Sequence, residues 1–140
     1  MLRACCDAPA WAESVSRGRP YADREALLAA GDQAARRLDA EQVDRAVAAH
    51  PRLGERPQES SDGWSAQEQA GVGPTAELAE ANRAYEQRFG RVFLLCANGL
   101  SGQQVLDRLR ERLGNDEDSE AAVVAGELRK IAVLRLGRLV

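Results

Sequence analysis

Apolar residues recur at intervals of three and four along most of this chain, and the stretches that carry them begin and end on residues that cap helices. Val43, Ala46 and Val47 fit that spacing, as do Leu78, Tyr85 and Phe89 with Asn82 in register, Val105, Leu106, Leu109 and Leu113, and Val124, Leu128, Ile131 and Leu134. This is the period of a helix buried along one face, not the alternation of a half-buried strand. Asp23 is placed as an N-cap for a helix over residues 23–38. A second helix spans residues 40–50 and stops before Pro51, because proline pushes the preceding residue out of the helical region, so His50 sits at a helix end. Residues 51–64 carry Pro51, Gly54, Pro57, Ser60, Ser61, Asp62 and Gly63 and read as a surface loop.

Ser65-Ala66-Gln67-Glu68 has the form of a capping box and opens a short helix ending near Gly71. Further helices are expected over 74–90 and from an N-cap at Ser101 to a C-cap at Gly114. A long final helix follows Asp116, Glu117, Asp118 and Glu120, with Arg129, Lys130, Arg135 and Arg138 towards its end, in the sense of the helix dipole. The acidic run reads as a solvated helix start. The run Val92-Phe93-Leu94-Leu95-Cys96-Ala97 fits either a buried strand or a helix interior, and periodicity does not choose between them. No other segment requires a strand, and neither a linker nor a repeat divides the chain. The expected architecture is therefore an all-α, single-domain helical bundle over residues 1–140.

Hydrophobic residues make up 44% of the chain, enough for one core. Only 4% are aromatic, the net charge is −3, and the basic side chains are scattered among acids, which leaves nucleic acid neither a cationic stripe nor a stacking platform. No apolar run approaches the roughly 20 residues of a membrane span, and the first residues lack the charged region followed by an apolar core that a signal peptide would show. A cytoplasmic protein with no membrane or nucleic-acid partner is expected. The three cysteines, Cys5, Cys6 and Cys96, match neither a disulfide framework nor a zinc site and read as reduced thiols. With one histidine in the chain, no His-rich metal site is expected, and any imidazole chemistry belongs to His50.

Taken singly, the candidate residues have ordinary explanations. A histidine at a helix end caps carbonyls or packs as readily as it catalyses. Capping accounts for Ser65 and Glu68 but not for Gln69. Cys96, inside an apolar run, reads as an inert core thiol.

The combination is more specific. Ala48-Ala49-His50-Pro51-Arg52-Leu53-Gly54, Trp64-Ser65-Ala66-Gln67-Glu68-Gln69-Ala70-Gly71, Asn82-Arg83-Ala84-Tyr85-Glu86-Gln87-Arg88-Phe89-Gly90 and Val92-Phe93-Leu94-Leu95-Cys96-Ala97 follow one another in an order that resembles the OHCU decarboxylase family. The resemblance extends through Arg112-Leu113-Gly114-Asn115-Asp116, Glu127, Lys130-Ile131 and Leu134-Arg135-Leu136, and back to Cys5-Cys6, Trp11-Ala12 and Arg19-Pro20-Tyr21. It implies an all-helical fold of that type, a homodimer, and decarboxylation of 2-oxo-4-hydroxy-4-carboxy-5-ureidoimidazoline (OHCU) to (S)-allantoin in urate breakdown. It implies no cofactor and no metal, since the imine of the substrate receives the electrons that CO2 leaves behind. By the same resemblance His50 and Glu68 are catalytic, His50 acting as general acid or base, and Pro51, Ser65, Gln69, Leu95, Cys96, Ala97 and Asn98 bind the substrate.

Two features depart from the family pattern. Asn98 stands where eukaryotic relatives often have arginine, and the N-terminus is shorter than expected. Two other readings stay open on the sequence: a catalytically idle helical paralogue that binds a related intermediate, and a decarboxylase of the same fold with a different ureido-acid substrate.

Overall fold

A computed structural model of the chain describes residues 2–53 and 75–139. Among the described residues there are seven α-helices and no strand. They belong to two compact units, one formed by Met1–Ala49 with Ala125–Val140 and the other by His50–Val124.

The first unit contains α1 (Leu2–Cys5), α2 (Pro9–Arg17), α3 (Arg24–Arg36) and α4 (Ala40–Ala48). Its local chemistry is that of capped helices. Pro9 occupies the first turn of α2, where a missing N–H costs nothing. Asp23 accepts from the Ala26 N–H at 2.8 Å, and Asp39 from the Gln42 N–H at 2.9 Å. Trp11 of α2 is fully buried and donates its indole N–H to the Gly31 carbonyl of α3 at 2.9 Å. Gly31, Ala34 and Ala35 give α3 a small-residue face for that approach. The final helix, α7 (Glu117–Arg138), contributes buried Leu128, Ile131, Ala132 and Leu136 to this unit. Arg135 donates to the Ala4 carbonyl at 3.0 Å and Arg24 to the Gly137 carbonyl at 2.9 Å, which ties both ends of the unit's chain to its helices.

The second unit contains α5 (Ala76–Phe89), α6 (Gly102–Leu113) and the opening turns of α7. Thr75 caps α5 through the Leu78 N–H, and Gly90 ends it in the left-handed conformation at φ 70°, a backbone state glycine adopts without steric cost. Ser101 and Gln104 close a reciprocal capping box on α6, and Gly114 ends that helix. Asp116 accepts from the Ser119 N–H at 2.7 Å and opens α7. One apolar cluster fills the unit: Leu53, Leu78, Tyr85, Phe93, Leu95, Ala97, Val105, Leu106 and Leu109.

Helices expected over 23–38, 40–50, 74–90 and 101–114, and the long final helix, are thus present with ends shifted by at most two residues. The helix expected over 65–71, and residues 54–64 of the expected surface loop, lie outside the described residues. Two expectations are corrected. The run 92–97 is neither strand nor helix, although Phe93, Leu94, Leu95 and Ala97 are buried. Three consecutive buried side chains would suit a buried strand, but the run carries no strand pairing: Leu94 O accepts from the Arg112 side chain and Ala97 O from the Leu100 N–H, and the cluster around it covers an irregular strap. The acidic run is also not wholly solvated: Asp116, Glu117 and Asp118 are exposed, but Glu120 is fully buried. Its place four residues before Val124 puts it in the apolar register of α7.

Candidate active site

His50 lies two residues beyond the end of α4 and is half-buried, with its Nε2 atom out of contact with solvent. The segment it opens is fastened to α5 at three points. Leu53 enters the apolar cluster, its carbonyl accepts from Asn82 Nδ2 at 3.0 Å, and Arg52 pairs with Glu86 through two parallel contacts of 2.8 Å. Asn82 and Glu86 are one helical turn apart, so a single face of α5 holds the chain on the C-terminal side of His50. Pro51 is half-buried beside it.

The second candidate segment, Leu95 to Asn98, belongs to the irregular strap. Leu95 and Ala97 are in the same apolar cluster as Leu53, Cys96 is half-buried, and Asn98 is exposed next to Gly99, which turns the chain at φ 81°. An irregular segment lacks the hydrogen-bonding ladder of a helix or sheet, and its buried carbonyls need other partners. Leu94 O accepts from Arg112 Nη1 at 2.6 Å, and Ala97 O from the Leu100 N–H at 2.9 Å.

Arg112 in turn belongs to a buried polar network. Its Nε and Nη2 face the Glu120 carboxylate, the shortest contact being 2.6 Å, and its guanidinium carbon lies 4.4 Å from the centre of the Phe93 ring. The Tyr85 hydroxyl donates to Glu120 Oε2, and Asn115 Nδ2 to Oε1 at 3.2 Å. Burial pushes the Glu120 carboxyl up, but the hydrogen bonds from Arg112 and Tyr85 and the guanidinium charge outweigh it and hold the group below the usual glutamate value. Tyr85 is pushed up to about 12, first by burial and then by its bond to that carboxylate. Among the described residues no three His, Cys, Asp or Glu side chains converge as a metal site would need. Cys6, in the other unit, has a thiol raised to about 12, chiefly by burial, and is a packed side chain with no nucleophilic character.

Of the residues singled out in the sequence, His50 and Pro51 on one side and Leu95, Cys96, Ala97 and Asn98 on the other are carried by segments rooted in one core. Ser65, Glu68 and Gln69 lie outside the described residues. Sequence reasoning missed Asn82, Arg112 and Glu120 as parts of the machinery that holds these segments. The signal was present: Arg112 follows Val105 and Leu109 at helical spacing, and Glu120 precedes Val124 and Leu128 in the same way, so each charge occupies an apolar position.

Comparison with known proteins bears on the whole chain. The uric acid degradation bifunctional protein TTL of Arabidopsis thaliana is 30% identical over 98% of this chain, which spans 45% of that protein's length. The 2-oxo-4-hydroxy-4-carboxy-5-ureidoimidazoline decarboxylase of Amia calva is 32% identical over 91% of this chain and 78% of its own. A crystal structure of OHCU decarboxylase in the presence of (S)-allantoin superposes with a TM-score of 0.82 at 28% identity, covering 99% of this chain and 95% of that one. The structure of (S)-allantoin synthase shares the fold, with a TM-score of 0.70 at 20% identity over 96% of this chain and 46% of its own. No helix among the described residues is long and apolar enough to cross a membrane. The sequence profile of the OHCU decarboxylases matches residues 1–137, and the chain belongs to that family.

Proposed function

We propose that this chain decarboxylates OHCU to (S)-allantoin and CO2 in the breakdown of urate. The observation that carries the reading is the rooting of the His50-Pro51 segment and the Leu95 to Asn98 strap in one apolar core, in a chain of this family. The carboxylated carbon of OHCU bears a hydroxyl and adjoins a ring C=N. When the carbon–carbon bond to the carboxylate breaks, its electron pair forms a C=C bond and the imine nitrogen takes up a proton. The resulting enol then becomes a carbonyl as the carbon bearing the ureido group is protonated on one face. The protein's tasks are orientation and proton transfer.

His50 moves the proton, since imidazole titrates nearest to neutral pH. Glu68 holds the substrate hydroxyl or orients the imidazole. Gln69, which both donates and accepts, matches the urea-like groups. Pro51 and Ser65 line the same shell, and the backbone of Leu95, Cys96, Ala97 and Asn98 borders the ring. The neutral Asn98 amide binds a carboxylate less strongly than an arginine would at that position. The active species is a cytoplasmic homodimer, a state that sedimentation analysis tests directly.

The test of the activity uses OHCU generated in the cuvette from urate by urate oxidase and hydroxyisourate hydrolase. Circular dichroism then follows the chiral product. Formation of (S)-allantoin at a rate proportional to the concentration of this protein is the expected result. A folded sample that leaves the spontaneous rate unchanged overturns the proposal.

A further inference from the structure

We infer that Arg112 is a positioning residue for substrate binding, setting the place of the Leu95 to Asn98 strap through the Leu94 carbonyl; the inference rests on the proposed function. The guanidinium is committed in three directions. Nε and Nη2 engage Glu120, Nη1 donates to Leu94 O at 2.6 Å, and the group lies over Phe93 at 4.4 Å. Leu94 lies in the strap directly before Leu95, so this donor fixes the last peptide before the groups that border the ring.

Glu120 and Tyr85 hold the guanidinium in turn, and all three side chains are buried. A buried ion pair of this kind gives no general advantage in stability over apolar side chains of the same volume. What apolar side chains could not supply is a rigid donor aimed at a backbone carbonyl of a segment that has no regular hydrogen-bonding pattern of its own. Asn82 on the Leu53 carbonyl plays the same part for the segment that carries His50.

The assignment predicts a specific kinetic signature. The strap holds the ring in ground and transition states alike, whereas proton transfer belongs to His50. A displaced strap therefore raises KM and leaves kcat nearly unchanged. A substitution that only weakens the fold lowers the active fraction, and so the maximal rate, but leaves the KM of the remaining folded molecules where it was.

Arg112→Lys retains the charge and loses the fork, so it cannot serve Glu120 and Leu94 together. Tyr85→Phe keeps the ring and removes one support of Glu120, and it serves as the second variant should Arg112→Lys fail to fold. Steady-state decarboxylation of OHCU and calorimetric binding of (S)-allantoin are measured on folded samples of each. The expected result is a rise in KM of about tenfold for Arg112→Lys and a smaller rise for Tyr85→Phe, with kcat within about twofold of the parent. Weaker allantoin binding in the same order is expected alongside.

If the parent protein turns over OHCU and both variants keep its KM and its allantoin affinity, the positioning role is overturned and the activity stands. If the parent protein does not turn over OHCU, the activity falls, and allantoin binding decides the role: weaker binding in the variants upholds it, whereas equal binding or none overturns it.

Discussion

The guanidinium of Arg112 and the carboxylate of Glu120, eight residues apart on successive helices, meet at 2.6 Å with side chains that are 8% and 0% exposed. The pair reaches an aromatic hydroxyl, an amide and a backbone carbonyl, and through the carbonyl it reaches the strap. One buried charge pair therefore joins α5, α6, α7 and the segment between α5 and α6.

Removing one member leaves the other charge buried without its counter-ion, the costly way to break such a pair. Arg112→Ala should lose about 3–5 kcal/mol of unfolding free energy. Urea denaturation at neutral pH measures it. A loss below about 1 kcal/mol, the range of an exposed surface pair, would show that water reaches Glu120.

The same pair sets a pH dependence. The folded Glu120 carboxyl lies below its usual value of 4.5, so the unfolded chain takes up this proton more readily than the folded one. Its contribution to stability is full above 4.5 and is lost as pH falls through the lower, folded value. Urea midpoints between pH 7 and pH 2 should decline below 4.5, and Glu120→Gln should flatten that decline while lowering stability at pH 7. A Glu120→Gln profile parallel to that of the parent would refute the assignment.

Much of this fold was legible because its helices announce themselves. Asp23 and Ser101 cap where they should, Gly90 and Gly114 end helices, and the apolar spacing of α4, α5 and α6 matches their buried faces. The strap was illegible for a physical reason: a buried irregular segment has no period, and the side chain that satisfies Leu94 lies 18 residues away. The N-terminal helices escaped because α1 is one turn long and α2 buries only Trp11 and Val15, too few positions to show a period. His50 was singled out by its motif and not by its spacing, since a single residue at a helix end carries no pattern. Glu120 was hidden by its acidic neighbours, whose exposure suggested a uniform solvated face.

Close packing in the other unit makes a contrary prediction about glycine. Replacing a mid-helix glycine by alanine usually stabilises, by roughly 0.5–1 kcal/mol. At Gly31 a β-carbon would stand 2.6 Å from Leu136 Cδ2 and 3.6 Å from the Trp11 ring, both on buried side chains. Gly31→Ala should instead destabilise by about 1–3 kcal/mol, read from the thermal or urea midpoint. A more stable variant would show that Leu136 yields freely.

Thiol chemistry should follow burial. Cys5 and Cys6 are 0% and 1% exposed, and the Cys6 thiol is raised to about 12, so both should resist a maleimide at pH 7.5 until the protein unfolds. Cys96, half-buried in the strap, should label first. Saturating (S)-allantoin should slow that reaction. Mass spectrometry of the modified peptides reports the order, and early labelling of Cys6 would contradict it.

The central claim places proton transfer on His50, and a kinetic comparison of His50→Gln with the parent protein on OHCU tests it most directly. Glutamine retains hydrogen bonding and similar bulk but cannot titrate near neutrality. A positioned general acid or base contributes roughly 10²–10⁴-fold, and kcat should fall by about that factor while the far-UV spectrum and the affinity for (S)-allantoin remain near those of the parent. Formation of (S)-allantoin by His50→Gln at the parental kcat would contradict the account.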